Sequence, residues 1–245
     1  MQRHKPTASN NVTVKDLEAL ISVARGDRSG QLLLRDGNLV NVFTGEIERT
    51  NIVIEKGLVA AVRPDCENAR ETIDVNGRYV VPGFIDGHIH VESSMLPIHE
   101  FVRLALIHGT TTVLADPHEI ANVLGVAGIR YMLRASAGMP MDFFLTIPSC
   151  VPSTHMETSG ARLTSLDIIE LSKLDRVFGL GEMMDYFSVI SGSEHVLRSL
   201  VVARQAGLPI DGHAPGFVGR LLQAYAAAGI SSDHECVSIQ EVVEK

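Results

Sequence analysis

Cysteine is scarce and scattered in this chain. Cys66, Cys150 and Cys236 are odd in number and far apart, so the sequence offers neither a disulfide framework nor a CxxC metal knuckle. Basic blocks are missing as well. Lys and Arg number 21 against 29 Asp and Glu, a formal net charge of −8 over 245 residues, which argues against a nucleic-acid backbone or an anionic membrane as the partner. No run of about 18 apolar residues occurs, and the opening MQRHKPTASNNVTV has no apolar leader segment. Together these absences describe a soluble, cytoplasmic protein with reduced thiols, suited to a small neutral or cationic substrate. Homo-oligomerisation is left open.

What is present changes texture along the chain. Residues 1–12 are polar and expected to fray. TVKDLEALISVARG then offers a Thr13 cap, apolar residues at helical spacing and a stop at Gly26. From 31 to 81, short β-branched runs punctuated by DGN, TGE, EKG and NGR read as hairpins of a small sheet. After Pro82, strand-like runs alternate with amphipathic segments through six β/α units, from FIDGHIH and PIHEFVRLALIHG to ISSDHE and SIQEVVEK. Such alternation predicts a parallel sheet with helices outside it. The expected organisation is a β-rich N-terminal domain over residues 1–78, with one short helix, and an α/β domain over 79–245.

Two architectures fit the second part, a doubly wound sheet or a TIM-type barrel. No GxGxxG turn follows the first strand, and the polar residues of interest fall at the ends of several different strands, where a (β/α)₈ barrel gathers its active site. The barrel is therefore preferred, as an incomplete one. Eight units and about 250 residues make a typical barrel, whereas six units end here on the start of a helix. An open sheet of this kind would leave two strand edges bare.

The ends of the predicted strands collect imidazoles. His88 and His90 close the first, Glu182 the fourth, His213 the fifth and His234 the sixth. On a strand, residues i and i+2 face the same side, so His88 and His90 can share one ion. Glu182, with two oxygens, can bridge that ion to a second held by His213 and His234. Imidazole suits first-row divalent ions, and one carboxylate lowers the charge without quenching Lewis acidity. Coordination lowers the pKa of water from 15.7 to roughly 7 in favourable sites, so hydrolytic attack on a carbonyl or amidine carbon follows.

Other residues admit two readings. Asp116, His118 and Glu119 in DPHE close the second strand and either line the same mouth or cap the next helix. Glu92 and the Ser93-Ser94 pair either contact substrate or cap a short helix. Asp86 reads as a structural partner inside the first strand. His4, His99, His108, His155 and His195 read as surface or packing residues, and Cys236 as an inert thiol. A cytidine-deaminase-type zinc site needs a PCxxC pair, and none is present.

PGFIDGHIH with the later Glu and His residues resembles the amidohydrolase superfamily. The fuller set, IDGHIHVESSM, TTVLADPHEIANVLG, FFLTIPSCVPST, GLGEMMDY, GHAPG and SSDHE, resembles its adenine deaminase family, from about residue 31 onward. Related hydrolases often carry a carboxylated lysine on the fourth strand. Glu182 here agrees with the adenine deaminases instead. The resemblance implies hydrolysis of adenine to hypoxanthine and ammonia in purine salvage, by a pair of divalent ions, manganese or iron rather than zinc. It assigns His88 and His90 to the first ion, His213 and His234 to the second, and Glu182 to the bridge. Glu92, Asp116, His118 and Glu119 are the substrate-binding candidates.

The family also places a proton-shuttling Asp at the end of the eighth strand, and no residue here matches it. The expectation is a truncated member with low activity or an inactive fragment. A cyclic-amide hydrolase with the same ligands is the competing enzyme.

Overall fold

The computed structural model describes residues 12–245. Residues 1–11, with the expected fraying and His4, lie outside the described part. The described residues form two compact units that divide between Pro82 and Gly83.

The first unit begins with helix α1 (Val14–Arg25). The Thr13 side chain accepts from the Asp16 N–H while the Asp16 side chain accepts from that of Thr13, and Gly26 ends the helix at φ 83°. Five strands follow: β1 (Gly30–Val40), β2 (Ile47–Glu55), β3 (Leu58–Val62), β4 (Ala69–Asp74) and β5 (Tyr79–Val80). β2 is antiparallel to both β1 and β3, whereas β4 and β5 pair with β1 in parallel. The sheet is thus mixed rather than a set of hairpins.

EKG does turn the chain between β2 and β3, with Lys56 and Gly57 both at positive φ, the backbone that tight hairpins require. DGN does not. β1 runs straight through it, and three β1 steps from Leu34 to Gly37 face two on β2, from Ile52 to Thr50. Asp36 takes up the extra residue at φ 59°, a bulge held by Arg49 Nε on Asp36 Oδ1 at 2.5 Å and Asn51 Oδ1 on the Asp36 N–H at 2.8 Å. The same short polar residues that favour turns also favour bulges.

The second unit alternates strands with helices: β6 (Phe84–Ile89), α2 (Ile98–Ile107), β7 (Thr110–Ala115), α3 (His118–Leu124), α4 (Val126–Ala135) and β8 (Asp142–Ile147). Then come α5 (Ser165–Leu171), β9 (Val177–Met183), α6 (Tyr186–Ile190), α7 (Glu194–Gln205), β10 (Ile210–Gly212), α8 (Gly219–Ala227), β11 (Ser232–Asp233) and α9 (Ile239–Glu244). The six strands lie side by side in chain order, all neighbours parallel, from β6 at one edge to β11 at the other. This is the curled, open part of a TIM-type barrel.

Its main core joins Val113, Phe143, Leu145, Ile147, Leu180 and Ile210 of the strands to Val102, Ile129, Ile168 and Leu200 of the helices. Burial of each large side chain contributes about 1.5–3 kcal/mol. That layer fixes the strands, and the strand ends carry the polar residues. Among the described residues, no helix is long and apolar enough to cross a membrane.

Candidate metal centre

Five side chains from four strand ends converge on the C-terminal rim of the sheet. His88 is the next-to-last residue of β6 and His90 directly follows that strand, Glu182 lies on β9, and His213 and His234 directly follow β10 and β11. Glu182 is the hub. Its Oε1 lies 3.2 Å from His90 Nε2, and its Oε2 lies 2.7 Å from His213 Nδ1, 3.3 Å from His234 Nε2 and 4.0 Å from His88 Nε2. His88 Nε2 and His90 Nε2 face each other at 3.1 Å.

The donors fall into two triads, His88–His90–Glu182 and Glu182–His213–His234, each with its ligand atoms within 4.8 Å of one another. Borderline nitrogen donors and one carboxylate suit a divalent first-row ion in each. His213 Nδ1 supports that fit, because it is buried and makes no hydrogen bond despite the short approach to Glu182.

The electrostatics follow from the contacts. Burial alone would raise the Glu182 carboxyl, but the close imidazoles of His213, His234 and His90 overcome it and hold it far below the usual carboxylate range. Glu119, then Glu182, push His90 up to about 11. Burial works against a charge on His234, yet Asp211 and Glu182 outweigh it and push the ring up to about 10. Without an ion, protons take its place. With an ion bound, those protons must leave.

Neighbouring elements set the positions of these ligands. Fully buried Asp116, just past β7, accepts from the Glu182 N–H at 3.1 Å with Oδ2, and its carbonyl lies 3.0 Å from His90 Nδ1. Burial, then the charge of Glu182, pushes the Asp116 carboxyl up to about 8. Residue 181 must be glycine here, because a Cβ would lie 2.1 Å from Asp116 Oδ2. Ser149 donates to the Glu182 carbonyl at 2.5 Å. Tyr225 of α8 donates to the Met183 carbonyl at 2.7 Å and accepts from the His213 N–H at 3.1 Å, which ties the end of β9 to that of β10.

The substrate-binding candidates separate. Glu119 reaches His90 Nδ1 at 3.4 Å, accepts from Ser93 Oγ at 3.1 Å and stays 44 % exposed at the rim. Asp116 lies under Glu182, away from solvent. Glu92 accepts from the Ile120 N–H at 3.3 Å and so caps the first turn of α3, while its other oxygen is buried without a partner. His118 is buried, with Nε2 3.4 Å from Ser153 Oγ. His99, His108, His155 and His195 are exposed. Asp86 accepts from the His88 N–H at 3.2 Å inside β6. Cys236 is half-buried.

Two residues that the sequence reading passed over belong to the site, Tyr225 and Asp211. Tyr225 left no signal, since a tyrosine on an amphipathic helix reads as core. Asp211 did leave one: the tetrapeptide Ile-Asp-Gly-His occurs twice, at 85–88 and at 210–213.

Fold and site together are an open TIM-type half-barrel with a candidate metal centre at its C-terminal rim. The amidohydrolase family model matches residues 79–245, and the chain belongs to that family. It is 53% identical over 229 residues to an adenine deaminase of Methanothrix thermoacetophila, covering 94% of this chain and 40% of that protein. To an adenine deaminase of Desulfatibacillum aliphaticivorans it is 46% identical over 228 residues, covering 93% of this chain and 40% of the relative. The chain therefore spans about 40% of the length of these curated relatives. Among solved structures, it resembles an N-acyl-D-glutamate deacylase of Bordetella bronchiseptica crystallised with zinc and a phosphonate inhibitor. The TM-score is 0.62 at 16% identity, over 87% of this chain and 53% of that one. A D-aminoacylase variant gives 0.61 at 17% identity, over 86% and 53%. These two likenesses speak for the fold.

Proposed function

We propose that the protein of which this chain forms part or whole hydrolyses adenine to hypoxanthine and ammonia in purine salvage, using two divalent ions, manganese or iron rather than zinc. The observation that carries the reading is the pair of triads sharing Glu182, at strand ends that lie within the region 46–53% identical to adenine deaminases. In this reading His88 and His90 hold one ion, His213 and His234 the other, and Glu182 bridges them. A bound pair supplies Lewis acidity and a water nucleophile at neutral pH.

The chain's own residues do the rest. Asp116 holds Glu182 from below through its backbone N–H. Glu119, exposed beside His90, is the group that an entering purine meets, and Glu92 and His118 shape the wall behind it. The resemblance also implies a proton-shuttling Asp at the end of an eighth strand, beyond the six strands described here. Such a group contributes about 10² to 10⁴-fold. The free thiols of Cys66, Cys150 and Cys236 suit a reducing, cytoplasmic setting.

The test is ammonia release from adenine by the manganese-loaded chain, run beside ring opening of hydantoins and dihydropyrimidines. Slow release from adenine alone is expected, some 10² to 10⁴-fold below a complete acid/base machinery. Ring opening without ammonia release would overturn the substrate assignment.

A further inference from the structure

The two Ile-Asp-Gly-His segments place their aspartates in the same register, yet the two carboxylates do different things. Asp86 turns back on the His88 backbone of its own strand. Asp211 instead reaches across the sheet. Its Oδ2 lies 3.2 Å from His88 Nδ1 and 3.0 Å from His234 Nδ1, while Oδ1 accepts from Ser232 Oγ at 2.7 Å. One carboxylate oxygen thus lies within 3.2 Å of two imidazole Nδ1 atoms, the one of His234 in hydrogen-bond geometry. The rings it holds are stacked, with centroids 3.7 Å apart and planes 20° from parallel. Their far nitrogens, Nε2, both point to the Glu182 side.

His88 belongs to one triad and His234 to the other. An imidazole whose Nδ1–H is bonded to a carboxylate presents its Nε2 lone pair, and the tautomer and the ring plane are fixed together. We infer that Asp211 is the positioning residue that locks His88 and His234 in the Nδ1–H tautomer and so couples the two ion sites. This rests on the two-ion reading proposed above. Asp211 itself touches neither ion nor substrate. His88, Asp211 and His234 also satisfy the spacing of a third ion site. Filling it through the Nδ1 atoms would take His88 out of one triad and His234 out of the other.

The remaining imidazoles sharpen the pattern. His90 Nδ1 faces the Asp116 carbonyl, so it too carries its proton there, whereas His213 turns Nδ1 toward Glu182. The ligand set is therefore three Nε2 donors and one Nδ1 donor.

The experiment uses the 245-residue chain, with Asp211→Ala and Asp211→Asn. Ion content after dialysis against manganese, resistance to a competing chelator and the cobalt(II) absorption spectrum are recorded for each. Histidine ¹⁵N spectra are taken on the zinc-loaded wild type. The wild type is expected to hold two ions, with His88 and His234 as Nδ1–H tautomers. Asp211→Ala is expected to weaken both ions about 10–100-fold and to change both cobalt bands, with substantial rescue by Asn, which keeps an acceptor oxygen. A wild type with two ions and an unchanged Ala variant overturns the inference alone, as does weakening at one site only. An ion on Nδ1 of His88 or His234, or a third ion, also overturns it, and these wild-type readouts stand even if Ala fails to fold. A wild type that takes up no ion overturns the two-ion reading and this inference with it.

Discussion

Glu55 and Glu182 are both buried carboxylates at strand ends, with 2% and 5% of their side chains exposed, and they are answered differently. Glu55, in the N-terminal unit, faces guanidiniums: Arg28 Nη2 at 2.6 Å and Arg70 Nη2 at 3.9 Å. Glu182 faces imidazoles, and every ion-pair partner it has among the described residues is a histidine. A guanidinium keeps its proton at any pH a protein meets. Imidazole gives its proton up and offers the same nitrogen to an ion. A buried carboxylate therefore points to chemistry when its partners are exchangeable, and to structure when they are not. The surroundings agree, since Glu55 ends β2, whose Val53 belongs to the small cluster with Val23, Leu33 and Cys66, while Glu182 lies on β9, whose Val177, Leu180 and Met183 belong to the large core.

The harshest way to break this comparison is Glu182→Ala. Each triad loses its shared oxygen donor, so uptake is expected to fall from two ions per chain to none that survives dialysis, measured by elemental analysis of the dialysed protein. Two ions retained would remove Glu182 from the hub. The fold should persist, because the side chains holding the β9 end, Ser149 and Tyr225, bond to backbone there.

A gentler probe is pH. In the metal-free chain His90 and His234 are raised from 6.5 to about 11 and about 10. Their contribution is then full below about 6.5 and drains away as pH rises toward those values. Glu182 and Asp211 are depressed below 4.5 and 3.8, so their contribution is present above those values and is lost on acidification. Bound ions need neutral imidazoles, which reverses the slope above pH 6. Melting midpoints between pH 5.5 and 8.5 should fall for the metal-free protein and rise for the manganese-loaded one. The N-terminal unit is common to both samples and cancels in the difference. Parallel profiles would mean that these imidazoles hold no ion.

Most of the site was legible because strand geometry makes it so. In His88-Ile89-His90 the alternation of a strand dictates a shared face, and a barrel brings successive strand ends together, so Glu182, His213 and His234 could be placed without coordinates. The same i, i+2 argument applied to Asp211-Gly212-His213 would have put Asp211 on the ligand face. Applied to Asp86-Gly87-His88 it would have failed, since Asp86 spends its oxygen on a backbone N–H. Alternation gives the face of a side chain and leaves its partner open. DGN at 36–38 misled for a related reason, since a turn and a bulge ask for the same residues and only pairing with β2 decides between them. For Asp116 and Glu92 spacing allows mouth or cap. Glu92 does cap a short helix, α3, whereas Asp116 does neither and holds the Glu182 backbone from beneath the rim, a depth that no linear spacing encodes.

The smallest effect tests the other half of the comparison. Arg28→Ala removes the near guanidinium from Glu55 and leaves a carboxylate that is 2% exposed with only Arg70 at 3.9 Å. An unsatisfied buried acceptor costs about 1–3 kcal/mol, and since half of the Arg28 side chain is in solvent, screening places the expected loss at the low end, about 1 kcal/mol, read from the shift in the urea midpoint of the N-terminal unit. Ion content should not change. His234→Ala in the metal-free chain is the matched operation on Glu182, and it should cost less, because His213 and His90 still face that carboxylate at 2.7 and 3.2 Å. If His234→Ala proved the more costly without metal, the imidazoles would be structural partners of Glu182 in the way that Arg28 is of Glu55, and the distinction between exchangeable and fixed partners would collapse.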